Sequence, residues 1–446
     1  MGTALIVSAF QPPMDFRVIA FGAGMILIAA AFLWLSITQA RETNALARNV
    51  PEAQCEIKIQ TEPQAPLDPV TTPPWLHTEA FPLRPASDDY GYMAWKKMKP
   101  CTRQELFTHC SRDEVPPVHL VWTPENPRLV PPAEVPFLSE AVKARTKHAC
   151  RTQIITGTLN GFSFGILPLI AMNAQGAVRR FVILNFLLLG VLPVSSAVIH
   201  LRKLKTLTSE QIAKERTLRQ YEVWVATRKI NLTWVLAGCI LAIFIAQLCV
   251  GLPNSVENAG LVKAMVWKGQ AWRLLTGPML HGGGFHLLFN IVALFSLGRL
   301  TEVLADRAYL ATVFLASMLA GSFFSLFLLP HTTSVGASGG LMGLIGFFAI
   351  VGHRRKEILP PGFLRSIAIS VLLVTAMGIV AYDIIDNAAH LGGFLSGLLL
   401  GFLMIRPQGN LPLTPTPATR RLGTICTTIL IAMTGATLYT VLHKSI

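Results

Sequence analysis

The sequence predicts an all-α protein, a polytopic bundle of transmembrane helices, on three observations. Hydrophobic residues fill 52% of its 446 positions and charged ones only 14%, with a mean hydropathy of +0.50. A soluble chain of this size needs more charge to cover its surface, so lipid is the expected solvent. The second observation is a series of uncharged runs of roughly 20 residues, the length a helix needs to cross about 30 Å of hydrocarbon. The third is the placement of charge: the net +14 comes from Lys and Arg in short runs between apolar segments. That pattern sets membrane topology, and no nucleic-acid partner is expected from it.

The first run, Val18 to Ala40, is uncharged between Arg17 and Arg41 and defines an amino-terminal helix within residues 1–40. It starts late and is too long for a cleavable signal peptide, so none is expected. Residues 41–150 are polar and hold 16 of the 29 prolines, a density that works against long helices. Trp75, Trp95, Trp122 and the short run Val118 to Trp122 suggest either a small folded unit or an ordered patch in a looser segment. Within 151–200 two further helices are predicted, Ile154 to Met172 and Phe181 to Ile199, interrupted by Asn160 and Pro168 and by Asn185 and Pro193. Leu201 to Lys229 carries eight Lys or Arg against three Glu and reads as a cytoplasmic connector, suited to an amphipathic helix on the membrane surface.

From residue 230 to 406 the pattern tightens into six spans: Asn231 to Gly251, Gly284 to Leu300, Tyr309 to Leu329, Ser338 to Val351, Phe363 to Ala381 and Ala388 to Met404. A Pro/Thr-rich linker and a last apolar segment, Leu422 to Leu442, complete residues 407–446. If the six spans alternate, Arg354, Arg355 and Lys356 fall on the same side as Arg420 and Arg421, which marks that side as cytoplasmic. Three spans before the connector put the amino terminus outside and the proline-rich region inside, where its cysteines stay reduced. If either interrupted segment fails to cross, that region is extracytoplasmic and Cys55, Cys101, Cys110 and Cys150 can pair. Arg41, Arg48, Lys143, Arg145 and Lys147 favour the cytoplasmic side. Cys239, Cys249 and Cys426 lie in apolar runs, as small packing residues do.

Polar groups inside a membrane are costly, and each is a functional candidate. Ser338 opens an apolar helix between glycines, in Gly336-Ala337-Ser338-Gly339-Gly340. Small neighbours leave its hydroxyl uncovered, and a helix amino terminus offers free N–H groups to a developing oxyanion. The same small residues would also suit plain helix packing. His390 lies one turn inside another apolar helix, in Asp386-Asn387-Ala388-Ala389-His390-Leu391-Gly392-Gly393. Gly393, Gly397 and Gly401 form a smooth strip there, and Gly339 and Gly343 form a second after the serine. Two such strips allow the backbones to approach and Ser338 to meet His390, whose neutral imidazole can take the hydroxyl proton. His286 and Asn290, four apart, share a helix face and can both donate to an oxyanion. His281 and His286, five apart, face different ways and have no carboxylate with them, so no metal is expected.

Taken in order, Trp272-Arg273, His281, His286-x3-Asn290, Gly298-x3-Glu302, Gly336-Ala337-Ser338-Gly339 and Ala389-His390-Leu391-Gly392-Gly393 resemble the core of the rhomboid intramembrane serine proteases. The resemblance covers about Asn231 to Arg406. It implies Ser338 as nucleophile, His390 as base in a dyad without a third acid, and His286 with Asn290 as oxyanion stabilisers. It also implies structural roles for Trp272, Arg273, His281, Glu302, Gly336, Gly339 and Gly393. Met342 departs from the family pattern, which has an aromatic ring there against the histidine.

The function implied is hydrolysis of peptide bonds in or near transmembrane segments of protein substrates within the lipid bilayer, without cofactor or metal, in a multi-pass protein of a bacterial inner membrane. The alternative is an inactive rhomboid-like pseudoprotease that binds transmembrane clients. Such relatives typically lack the serine or the histidine, whereas this chain has both. A small-solute transporter would show broken helices in two related halves, a pattern absent from the six-span core.

Overall fold

The computed structural model of the chain describes residues 73–77, 79–86, 89–94, 97–112, 119–166, 176–206, 216–382 and 384–443. The predicted helix Val18 to Ala40, Cys55 and Trp95 lie outside them. The described residues fall into two compact units, one of residues 84–206 and one of residues 73–83 with 216–443.

The first unit opens as a small α/β fold. Strands β1 (Tyr90–Ala94), β2 (Lys97–Cys101) and β3 (Leu120–Trp122) make an antiparallel sheet in the order β2-β1-β3. Pro100 sits in the edge strand β2, where a missing N–H costs no central ladder bond. Helix α1 (Arg103–Ser111) begins at a capping box of Thr102 and Glu105, which satisfies two end donors reciprocally. Leu106, Phe107 and Cys110 on α1 pack with Tyr92, Val121 and Leu138 into a core. Each large side chain buried there contributes roughly 1.5–3 kcal/mol, and a folded unit, not a loose patch, results.

Helix α2 (Ser139–Gly161) begins just after Pro136, so the division drawn at residue 150 falls inside one helix. It runs on through a π turn, Phe162–Ile166; residues 167–172 of the segment Ile154 to Met172 lie outside the described residues. Helix α3 (Gly176–Asn185) continues through a second π turn into α4 (Leu192–Thr206), and Val182–Leu204 is long and apolar enough to cross a membrane. Gly161 on α2 lies against Gly190, so the two backbones run close together. Among the described residues Cys101 and Cys150 are free thiols.

The second unit holds the helical bundle. Helix α5 (Arg216–Thr227) receives Trp75, whose ring meets Tyr221 edge-on with centroids 4.8 Å apart and Trp224 at 5.9 Å. Helix α6 (Leu232–Val250) crosses first. A structured loop follows, with α7 (Leu252–Ala259), strand β4 (Leu261–Val262), α8 (Lys263–Trp267) and α9 (Arg273–Thr276). Then come α10 (Gly284–Leu304), α11 (Arg307–Leu328), strand β5 (Thr333–Ser334), α12 (Ser338–Arg354), α13 (Phe363–Val380), α14 (Asn387–Met404) and α15 (Pro417–Leu442). The six spans and the added last helix are all present. Six of these seven, with Val182–Leu204, have the length and apolarity of a membrane span. The protein is a multi-pass membrane protein.

The ends moved where capping outweighs apolarity. Helix α10 runs on to Leu304 because Glu302 is tied to the start of α6. Its carboxylate accepts from the backbone N–H of Asn231, Leu232 and Thr233 at 2.9, 3.1 and 2.7 Å. Helix α15 starts at Pro417, with Thr416 as its cap, and so includes Arg420 and Arg421. At that same end Arg354 donates to the Phe402 carbonyl at 2.9 Å and Arg355 to that of Pro407 at 3.0 Å. The basic residues thus sit together at one end of the bundle, the end that topology rules place in the cytoplasm.

Candidate active site

Strand β5 leads into the serine. Its backbone pairs with β4, Leu261 opposite Ser334 and Val262 opposite Thr333. Two residues on, Gly336 takes a φ of +121°, and a Cβ there would stand 2.6 Å from the His286 ring. Only glycine meets both demands. Ser338 is then the first residue of α12, where backbone amides lack partners inside the helix.

The histidine is placed by a cap. Asp386 Oδ1 accepts from the Ala389 amide at 2.9 Å and starts α14, so His390 stands one turn in. Its Nε2 lies 2.9 Å from Ser338 Oγ, across 52 positions of chain. This closeness comes from the two glycine strips. A Cβ on Gly393 would collide with the Gly339 carbonyl, one on Gly397 with that of Gly343, and one on Gly346 with that of Phe394. On the other side, Gly321 of α11 faces the Ala389 carbonyl. Apolar helices gain little from meeting in lipid unless their surfaces fit closely, and small residues supply the fit.

The far nitrogen of His390, Nδ1, has no hydrogen-bond partner among the described residues. Asp386 does not supply one. Its Oδ2 is taken by the hydroxyls of Ser325 and Ser334, and Lys263 Nζ lies 3.8 Å away. The arrangement is therefore a serine–histidine pair. A hydroxyl bonded to a neutral imidazole nitrogen can lose its proton as it attacks a carbonyl.

His286 lies on the first turn of α10, against Gly336. Asn290, one turn on, is buried and gives one amide hydrogen to the His286 carbonyl at 2.8 Å. A primary amide has two such hydrogens, so one is left over. His281 is fully buried, with its ring edge-on to His286 at 5.2 Å. Gln247 clasps its backbone, accepting from the His281 amide at 2.9 Å and donating to its carbonyl at 3.1 Å. Burial first, then repulsion by His286, push the His281 pKa down to about 3 against the pull of the Met279 carbonyl, so this ring is neutral at ordinary pH. Arg273 is buried, donates to the Gly260 carbonyl at 2.8 Å and lies over the Trp272 ring at 4.7 Å; the pair braces the loop. Met342 is buried in α12.

Sequence reasoning passed over Lys263, Gln247, Ser325 and Ser334. Their only signal is being polar beside apolar runs. Each finds its partners in distant segments, so no local spacing reveals them.

Fold and site together define a membrane-embedded helical bundle with a serine–histidine pair between two of its helices. Residues 268–407 match the family model of the Rhomboid domain. RHOMBOID-like protein 7 of Arabidopsis thaliana is 38% identical over 164 residues, 35% of this chain and 50% of that protein. RHOMBOID-like protein 4 of the same plant is 35% identical over 148 residues, 33% and 38% of the two chains. Rhomboid protease GluP of Bacillus subtilis is 29% identical over 177 residues, 38% and 34% of the two. The matches span half or less of these relatives' length. Residues 268–407 are thus a domain of the rhomboid type.

Proposed function

We propose that the protein is an intramembrane serine endopeptidase that cuts peptide bonds in or near transmembrane segments of other membrane proteins. The observation that carries the reading is the 2.9 Å hydrogen bond between Ser338 Oγ and His390 Nε2, in a family that includes a named protease.

In this reading Ser338 Oγ attacks the scissile carbonyl carbon while His390 Nε2 takes the hydroxyl proton. The carbonyl electron pair moves onto oxygen. The Ser338 backbone amide, the spare Asn290 hydrogen and His286 receive that negative charge, the kind of donor set that lowers such barriers most. The C–N bond then breaks, and His390 returns the proton to the departing amine. Water adds to the acyl-enzyme by the same route, with His390 again as base, and releases the acid. Asp386 is otherwise engaged, and the imidazolium is held without a carboxylate.

Depth supports the same reading. Helix α12 has 17 residues, about 25 Å at 1.5 Å per residue, which falls short of roughly 30 Å of hydrocarbon. With Arg354 at the cytoplasmic interface, Ser338 lies a few ångströms below the opposite surface. An extended substrate backbone can be held there with water close at hand.

The test is cleavage of a single-span protein with a small residue near the outer end of its helix, reconstituted with this protein in vesicles. Wild type cuts it, and Ser338→Ala and His390→Ala lose at least ~10³-fold in kcat. Binding of the substrate without cleavage by wild type would replace the enzyme with a client-binding relative.

A further inference from the structure

The serine's approach strand and the histidine's cap share one anchor. Lys263 opens α8 in the loop between α6 and α10 and is 1% exposed. Its Nζ donates to Thr332 Oγ1 at 2.7 Å and to Ser334 Oγ at 2.6 Å, and stands 3.8 Å from Asp386 Oδ2. Ser325 of α11 closes the group, its hydroxyl 3.0 Å from that of Ser334 and also on Asp386. Burying an ammonium is costly unless it is paired and hydrogen-bonded. Burial lowers the lysine's pKa and Asp386 raises it again.

The placement is specific. Ser334 precedes Ser338 by four residues, and Asp386 precedes His390 by four. The loop also holds the approach strand by backbone, through the β4–β5 pairing and a Gly336 N–H to Gly277 carbonyl contact of 3.4 Å. The side-chain cluster adds what that pairing lacks, a tie between the serine's strand and the first turn of α14.

We propose that Lys263 is a positioning residue for the Ser338–His390 pair: through Ser334 it holds the strand that delivers the serine, and through Asp386 the cap that sets the histidine. The proposal rests on the dyad reading above. A lysine serving stability alone would change how much protein folds. A positioning lysine changes how fast each folded site works.

The experiment measures cleavage per active site, with sites counted by titration with a fluorophosphonate. In Lys263→Met, kcat per titrated site should fall roughly 10- to 100-fold, as small misplacements of reacting groups do, with KM changed less than about threefold. The Lys263→Met/Asp386→Asn double variant should be no worse than Lys263→Met, because the two residues act as one unit. Wild-type kcat per site in Lys263→Met, a loss confined to KM, or losses that multiply in the double variant would overturn the proposal. Should Lys263→Met fail to fold, Thr332→Val removes one of its bonds and leaves the charge. Its kcat should drop several-fold, and an unchanged kcat overturns the proposal equally. A wild type as inert as Ser338→Ala would defeat the dyad reading beneath it, and the proposal with it.

Discussion

Helices α12 and α13 are adjacent in sequence and comparably apolar, yet they sit in the bundle very differently. Twelve of the seventeen residues of α12 are buried, whereas α13 buries only Ile367 and Gly378. In water such apolarity would bury both. In lipid the hydrocarbon competes as well as any neighbouring helix, so apolarity does not discriminate. Size does. Helix α12 presents Gly339, Gly343 and Gly346 to the backbone of α14, while α13 offers lipid a surface of Ile369, Leu372, Leu373 and Ile379. The helix that carries Ser338 is locked and its neighbour is loosely held.

That contrast can be broken most severely at the lock. Gly397→Leu drives a side chain into the Gly343 carbonyl, and overpacking of this kind costs about 1–3 kcal/mol even where the structure yields. Because yielding here separates α14 from α12, cleavage per milligram should drop by about 100-fold or more. Activity near wild type would mean that the glycine strip is not what brings the pair together.

A middle-sized effect is expected at the other end of the bundle. Glu302→Gln keeps the shape but removes the charge that three amides of α6 share, and should cost roughly 1–2 kcal/mol in thermal or denaturant unfolding. Its kcat per active site should be unchanged, since Glu302 touches neither the serine nor the histidine. The smallest effect belongs to α13. Leu372→Ala removes only lipid contact and should shift stability by less than about 0.5 kcal/mol. A larger loss would show that this helix packs against something.

Much of this was legible in the sequence because it depends on local rules. Span positions follow from apolar length, and the Ser338–His390 meeting follows from two glycine strips of fourfold period. The reach of Glu302 back to Asn231 was hidden, because a cap supplied from 71 positions away leaves no pattern near the helix it caps. Lys263 was hidden for the same reason, its partners being drawn from β5, its flanking loop and the start of α14. The small sheet was masked by prolines, which signal loops well and edge strands poorly. Where helices begin was settled by hydrogen bonds at their ends, as at Asn387 and Pro417, rather than by the apolar run.

The central claim is that Ser338 is made reactive by His390. Treating the protein in lipid with a fluorophosphonate and mapping the adduct by peptide mass spectrometry tests it most directly. The account predicts a single adduct on Ser338, absent in Ser338→Ala and slowed by orders of magnitude in His390→Ala. An adduct on another residue, or labelling of Ser338 at the wild-type rate without His390, would contradict it.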